Sequence, residues 1–410
     1  MLDAMGGKLE RYFVPAVIGF APFVLLLLTW APEQKTPAQH LMLGLYVPLA
    51  AAEVFIAVVA LREGLIGAMR NWSWPRVPTT ALLILVAVAV GTALTAPNPA
   101  AARTWTIFWL LHLLFGFSVA HLCTKSLGQR EVVRAYLAGF VAFAAATVVF
   151  YTQVTDPGFD WTHAWPAATH IRHFGYYATA MIAMALGLAA TERRPVRLAL
   201  LFLFNVGAFA FALWTGSRGS VIGVAGALLV GSLLVASIRR LIVWAGAVLS
   251  LALGAAIASL GPAPGPFMGF HKTISRTVES GDVSTGRTQM WLNVIVAIKK
   301  RPLFGYGENQ MSTVAPFGTL GQTHEIILQV LLAWGLVGLA CVAVLAIWFL
   351  MRSLPVVRRD AELQPAFMAM LALASLSLID GSLFHVLPVS IFAACAGMIA
   401  SRWLPEKASA

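Results

Sequence analysis

The chain has 410 residues, of which 59% are hydrophobic and only 11% are charged, and its mean hydropathy is +0.81. Because soluble domains carry about 25% charged residues, this composition excludes an ordinary soluble protein, a disordered chain and a disulfide scaffold. It is typical of a polytopic membrane protein, whose apolar side chains face lipid as well as each other. The net charge is +11, from 28 Lys and Arg against 17 Asp and Glu. The positions of the charged residues along the chain should explain this excess.

Apolar runs recur along the whole chain, and a spanning helix needs about 20 mostly apolar residues. The sequence therefore predicts an all-α polytopic membrane protein with about 12 transmembrane helices. The first run lacks a small-residue cleavage site, so we interpret it as a span rather than a signal peptide. The predicted spans cover residues 14–31, 41–61, 79–96, 104–123, 132–154, 173–191, 196–214, 219–238, 241–260, 324–351, 363–380 and 383–403.

Between the predicted spans, loops rich in Lys and Arg alternate with loops that carry few of them. The rich loops lie near 62–76, 125–134, 193–197 and 352–359. Short cytoplasmic loops retain Lys and Arg, so we expect these loops, and both termini, in the cytoplasm. The net charge is then a signature of topology and does not indicate nucleic-acid binding.

One long outer segment, residues 261–323, separates the predicted helices of 1–260 from those of 324–410 and their tail. Loops of this length in compact proteins are usually functional. Apolar residues recur within it at helical spacing, which predicts an amphipathic helix over 286–300 that ends at Pro302. We therefore expect the loop to be structured.

Residues 215–220, at the predicted outer start of the eighth span, form the first of three polar clusters that could carry chemistry. Ser217 is the expected helix cap, and Arg218 falls in the first turn. A helix N-terminus with free N–H groups beside an Arg is a natural anion site. The alternative interpretation is an Arg that snorkels from an ordinary helix turn.

The second cluster, residues 284–291, places Arg287 in the first turn of the predicted loop helix. Ser284 or Thr285 is the expected cap of this helix. The planar, bidentate donors of Arg suit phosphate oxygens. A solvated Arg on a loop helix is the alternative.

The third cluster, residues 322–329, places His324 at the predicted outer start of the tenth span. A helix N-terminus disfavours imidazolium, so it helps to keep the ring neutral and able to accept a proton. For a lone His, a purely structural role is the alternative. A glycine-rich turn at 301–309 returns the chain to this helix.

The order of these motifs resembles the O-antigen ligase and polymerase superfamily of bacterial cell envelopes. Over residues 215–338, an SRG turn, a GRxxxW helix, a PLFGYG turn and a His-led helix ending in GLVG follow one another. The resemblance implies a metal-independent, inverting glycosyltransferase of the C-type membrane fold that needs no cofactor. It also implies a bacterial inner-membrane protein with a periplasmic active site.

In the ligase branch, the resemblance implies a donor glycan on undecaprenyl pyrophosphate and an acceptor hydroxyl on lipid A–core, during lipopolysaccharide biosynthesis. By motif, Arg218 and Arg287 match the arginines that hold the pyrophosphate, and His324 matches the histidine proposed to act on the acceptor hydroxyl. Asp380 sits where ligases tend to carry a functional acid. Glu325 departs from the Asn that follows this His in many members.

Five further residues are candidates for supporting roles. Arg172, Lys272 and Arg276 are expected either to contact phosphate or acceptor, or to be plain surface charge. Trp291 and Tyr306 are expected either to stack on sugars or to pack.

Other functions compete with a ligase on these motifs. An O-antigen polymerase or a protein O-oligosaccharyltransferase would use the same arginines. A lipid or solute transporter is the rival from another class, although its polar groups would gather near the midplane. No metal site is expected, because His163, His170 and His173 lack a Cys or Glu partner. Glu53, an acid deep within a span, is expected to form a buried hydrogen bond between helices.

Overall fold

The computed structural model describes residues 2–32, 41–72, 74–265, 268–272, 274–275, 286–317 and 321–403, with the backbone alone described for 2–11 and 41–46. It is 78% helical, and these residues contain no strand, so the predicted all-α class is confirmed. The helices are α1 Leu2–Leu28, α2 Leu41–Arg62, α3 Leu65–Asn71, α4 Arg76–Thr95, α5 Pro99–Lys125, α6 Gln129–Gln153, α7 Arg172–Ala189, α8 Pro195–Trp214, α9 Arg218–Leu234, α10 Leu241–Leu260, α11 Arg287–Lys300, α12 Met311–Val314, α13 Ile326–Arg359, α14 Gln364–Ser377 and α15 Val386–Ala400.

Each predicted apolar segment coincides with one of these helices. Six of them, α4, α5, α6, α8, α10 and α13, are long and apolar enough to cross a membrane. The predicted boundaries fail most at α1, which begins at Leu2, and at α13, which continues to Arg359. Ser353 and Val357 of α13 still pack into the bundle. The amphipathic loop helix is confirmed as α11.

Two antiparallel helices, α7 and α14, form the centre of the bundle. Every residue of α7 from Phe174 to Gly187 is buried, because neighbouring helices cover it on all sides. At one end of the pair, Gly187 lies against Pro365. At the other end, Tyr176 hydrogen-bonds to Asp380, which follows α14. The start of α7 and the end of α14 therefore bring polar groups to one end of the bundle.

Helix α13 is broken at Gly335, where φ is 66° and ψ is −165°. The carbonyls of Leu332 and Ala333, freed by the break, accept hydrogen bonds of 2.9 and 2.8 Å from the backbone amides of residues 306 and 307. On the other side of the break, the amides of residues 336 and 337 donate to the carbonyls of residues 302 and 303, at 2.8 and 3.1 Å. Buried backbone groups need hydrogen-bond partners. The glycine-rich turn supplies these partners to the backbone groups that the break leaves unpaired.

A buried polar pair joins α2 to α5. Glu53 and His112 are 1% and 5% exposed, and Nδ1 of His112 lies 2.8 and 2.9 Å from the two carboxylate oxygens of Glu53. Intramembrane ionisable groups are expensive unless they are paired. The expected hydrogen bond between helices is therefore present.

Replacing Glu53 by Leu is expected to lower the stability of the folded protein by about 1–3 kcal/mol, because it leaves the buried His112 ring without a partner. Glu53→Gln, which keeps a hydrogen-bonding group, should cost less. Thermal unfolding in detergent measures the difference. Equal melting temperatures for the two variants would contradict a stabilising role for the pair.

Candidate active site

A cluster of polar side chains lies at the end of the bundle where α7 begins and α14 ends. Asp380 is at its centre and is only 7% exposed. Its Oδ1 lies 2.8 Å from Nδ1 of His324 and accepts the backbone N–H of Gly381 at 2.9 Å. Its Oδ2 lies 3.3 Å from Nη2 of Arg287, and Tyr176 also donates to this carboxylate. One side chain thus joins groups from α7, α11 and the segment before α13.

The pKa of Asp380 reflects two opposing effects. Burial alone would raise it, but the hydrogen bond from His324 and the positive charge of Arg287 outweigh burial and hold it well below its usual range. Asp380 is therefore ionised at every physiological pH. An ionised carboxylate can only accept, so the facing nitrogen of His324 carries the proton, and Nε2 is the basic nitrogen.

The sequence placed His324 at the start of the tenth span. In the structure, His324 lies two residues before α13 begins. The cap is Glu325, whose carboxylate accepts from the backbone amides of Ile327 and Leu328 at 2.9 and 2.7 Å. This capping role accounts for an acidic residue at the position. His324 itself has a φ of 52°, in the left-handed region that non-glycine residues seldom adopt.

Arg287 is one of three arginines that interact electrostatically at this end of the bundle. Arg287 also donates through Nη1 to the carbonyl of Ile379. Arg172 is attracted by Asp380 and repelled by Arg287 and Arg218, which places all three guanidinium groups in one electrostatic environment. Two further cations thus act near the Arg287–Asp380 ion pair, so the site has a surplus of positive charge suited to a bound anion.

Ser217 does not cap α9 as predicted. Its hydroxyl accepts instead from Ser220, at 2.8 Å. The reason is close packing on α7, where a Cβ at Gly175 would lie only 2.2 Å from Cβ of Ser217. A Cβ at Gly219 would lie 3.7 Å from Oδ2 of Asp380. The start of α9 is thus fixed between α7 and the carboxylate, which brings its arginine to the cluster.

The two aromatic candidates pack, which was the second of the two interpretations. The Tyr306 hydroxyl donates to the carbonyl of Ala297 at 3.1 Å, and the Arg301 guanidinium lies 4.9 Å from the centre of its ring. Nε1 of Trp291 donates to the carbonyl of Thr323 at 2.9 Å. Trp291 therefore holds α11 against the segment that carries the histidine, and Tyr306 holds α11 against the 301–309 turn.

Lys272, a further candidate, is not brought to the cluster. Lys272 is exposed, and the contacts of the described residues do not join it to Asp380. Arg276, together with the expected caps Ser284 and Thr285, lies outside the described residues.

Sequence reasoning missed Tyr176, Gln322 and His385. Tyr176 lies one helical turn after Arg172, a spacing that places the two on one face and could have identified it. Nε2 of Gln322 lies 2.9 Å from Nε2 of His385, across 63 residues of chain, and no local signal predicts that contact. Burial, and then the nearby His324, lower the pKa of His385 to about 3, so this ring is neutral.

Three histidines form a row of rings, two of them before α7 and the third, His173, in its first turn. The ring centroids are 5.3 Å apart for His163 and His170 and 5.9 Å apart for His170 and His173. Within the described part of the chain, no three His, Cys, Asp or Glu side chains are grouped as metal ligands. Thus the row shows ring contacts and not the geometry of a metal site.

Comparison with protein families bears directly on this cluster. A family model described as O-antigen ligase matches residues 203–343, a stretch that contains Arg218, Arg287 and His324. The match covers about a third of the chain and supports a member of the O-antigen ligase and polymerase superfamily. Members are glycosyltransferase-like enzymes that use lipid-linked glycans, and the apolar helices agree with a multi-pass membrane protein. The chain has no significant match among curated proteins.

The matched region does not contain the whole cluster. Arg172 and Tyr176 precede it, and Asp380 follows it. The packing of α7 against α14 adds these side chains to the residues that carry the family motifs. In this superfamily member, the site is therefore assembled from three separate parts of the chain.

Proposed function

We propose that this superfamily member is an O-antigen ligase that transfers a glycan from undecaprenyl pyrophosphate to a sugar hydroxyl of lipid A–core. The single observation that carries the proposal is the bridge made by Asp380, between Nδ1 of His324 at 2.8 Å and Nη2 of Arg287 at 3.3 Å. It places a proton acceptor beside an anion-binding group, and a transfer from a pyrophosphate needs both.

The chemistry follows from these two groups. His324 accepts the proton of the acceptor hydroxyl at Nε2, while Asp380 holds the ring and stabilises the imidazolium that forms. The acceptor oxygen attacks the anomeric carbon, and the bond from that carbon to the pyrophosphate oxygen breaks. The electron pair stays on the leaving pyrophosphate, whose charge Arg287, Arg218 and Arg172 stabilise. Attack opposite the leaving group inverts the anomeric centre.

We further propose that the apolar helices form twelve spans of the bacterial inner membrane, with both termini in the cytoplasm and residues 261–323 in the periplasm. The Arg193–Arg194 pair follows the end of α7 that lies away from Asp380. Positive charge marks cytoplasmic loops, so this arrangement supports a site that faces the periplasm.

A deletion strain that carries the His324→Ala variant tests the proposed reaction. We expect lipopolysaccharide with unmodified core and no attached polymer, because the acceptor hydroxyl lacks its base. Loss of a polymerase would instead leave core bearing single repeats. Core-linked polymer at the wild-type level would contradict both functions. In an assay with purified protein, donor and acceptor, wild-type transfer is expected to survive EDTA.

A further inference from the structure

Two neighbouring contacts join the same two stretches of backbone. Nδ1 of His324 lies 2.8 Å from Oδ1 of Asp380, and Nε2 of Gln322 lies 2.9 Å from Nε2 of His385. Gln322 comes two positions before His324, and His385 comes five positions after Asp380. The hydrogen bond between Gln322 and His385 therefore runs beside the contact of the catalytic base and connects the same two parts of the chain.

The turn at 380–385 is fixed on the central bundle. Two backbone amides of the turn donate to carbonyls within it, at 3.0 and 3.2 Å. The Ser382 hydroxyl donates to the carbonyl of Leu373, in α14, at 3.1 Å. The His385 ring packs on α7, with its centroid 3.8 Å from that of His173. Both α7 and α14 therefore hold the turn that presents the carboxylate and this second imidazole.

The segment before α13 is held from the opposite side by α11 and α13. Nε1 of Trp291 donates to the carbonyl of Thr323 at 2.9 Å, and the Thr323 amide donates to Oε1 of Gln329 at 3.1 Å. The next residue, His324, has the left-handed φ of 52°, a conformation that persists only where the surroundings fix it. The segment thus lies between two supports, and Gln322 and His324 reach from it to the turn.

The Gln322 side chain lies directly over the backbone that follows Asp380. A Cβ at Gly381 would lie only 2.5 Å from Oε1 of Gln322 and 3.6 Å from Nδ1 of His324. Oε1 is buried and has no hydrogen-bond partner among the described residues. Because the pKa of His385 is lowered to about 3, its ring is neutral. An amide can donate to Nε2 or accept from it, so the contact with His385 is a hydrogen bond in either tautomer.

We propose that Gln322 and His385 are positioning residues for His324, because their hydrogen bond sets how the histidine segment lies against the turn that carries Asp380. This inference rests on the proposed function, since its readout is glycan transfer. Neither residue has to touch the substrate. His385 acts through Gln322, and Gln322 acts through the backbone two residues before the base. The pair thereby holds Nδ1 of His324 on Asp380 and aims Nε2 at the acceptor hydroxyl.

The test is a double-mutant cycle with purified protein, lipid-linked glycan and acceptor. Gln322→Met and His385→Leu should each lower kcat by about tenfold to a hundredfold and leave KM for the donor within about twofold, because a misplaced base weakens the reaction more than binding. The double variant should be no slower than the slower single variant, since both changes remove one hydrogen bond. His385→Gln, whose amide can replace Nε2, should keep most of kcat.

Gln153→Met is the matched control. The same substitution there removes an exposed hydrogen bond of 3.0 Å from Nε1 of Trp30, which joins the end of α6 to the residues after α1. This contact connects neither the histidine segment nor the 380–385 turn. The control should therefore transfer glycan at nearly the wild-type rate.

Four results would overturn the proposal. The first is wild-type kcat in Gln322→Met, which nearly conserves the shape of the side chain and serves even if His385→Leu does not fold. The second is a double variant whose loss equals the product of the two single losses, which would show two independent effects. The third is a His385→Gln variant as impaired as His385→Leu, and the fourth is a loss in Gln153→Met equal to that in Gln322→Met. If the wild type itself transfers no glycan to lipid A–core, the ligase function fails and the inference fails with it.

Discussion

Replacing Asp380 by Asn is expected to lower the rate of glycan transfer by about a thousandfold to ten-thousandfold, the upper figure being the effect of the same change at the orienting carboxylate of a catalytic triad. The amide can present its NH₂ group to Nδ1 of His324, so that the ring carries its proton on Nε2, the nitrogen that should accept the proton of the hydroxyl. It also removes the charge that faces Arg287 at 3.3 Å. The change keeps the shape of the side chain, so a loss of rate reports on the chemistry of the contact.

The measurement is single-turnover transfer from lipid-linked glycan, with protein folding checked by melting temperature. Asp360→Asn is the control, because Asp360 forms an ion pair of 3.0 Å with Arg402 and lies before α14, at the end away from the cluster. The control should transfer at nearly the wild-type rate. The loss of an orienting carboxylate has a large effect on the rate. If Asp380→Asn instead stays within about threefold of the control, His324 does not depend on the carboxylate.

Arg287→Lys is expected to lower kcat/KM for the donor by about a hundredfold, although the positive charge remains. The guanidinium of Arg287 contacts Asp380 through one nitrogen and the Ile379 carbonyl through another. A single ammonium cannot keep both contacts and also bind a pyrophosphate in a fixed orientation. The loss should therefore exceed what charge alone would predict.

Steady-state kinetics with varied donor measures this loss, and Arg130→Lys provides the matched control. Arg130 pairs with Glu362 at 3.0 Å in an ion pair where its side chain is 63% exposed, and such surface pairs contribute little. Equal kcat/KM for Arg287→Lys and the control would mean that Arg287 acts only as a diffuse charge. The donor site would then have to be sought around Arg172 and Arg218.

Much of the fold was predictable, because the helices depend on runs and periods of apolar residues that the sequence shows directly. Helix α11 is an example, since its apolar residues recur at helical spacing. The motif arginines and His324 were found for a similar reason, as each lies in a short pattern. The contact of His324 and Arg287 with Asp380 was not predictable, because 56 residues separate Asp380 from His324 and the pairing depends on how separate helices pack.

Local rules failed where tertiary contacts took precedence. Ser217 has the residue type of a cap, yet its hydroxyl pairs with Ser220 because α7 lies so close. Glu325 is an unusual cap, yet its carboxylate reaches two amides. The break at Gly335 lies within a continuous apolar run, and no property of that run shows that residues 302–307 will satisfy the freed backbone groups.

The broken helix also gives Arg287 and the histidine segment a common packing support. The first half of α13 shares a small separate core with α11 and Tyr306, through residues such as Leu332 and Met290. Arg287 and the histidine segment belong to this unit, whereas Asp380 belongs to the central bundle. Arg287 and His324 are thus supported by one small core, and both reach across it to the same carboxylate, Asp380.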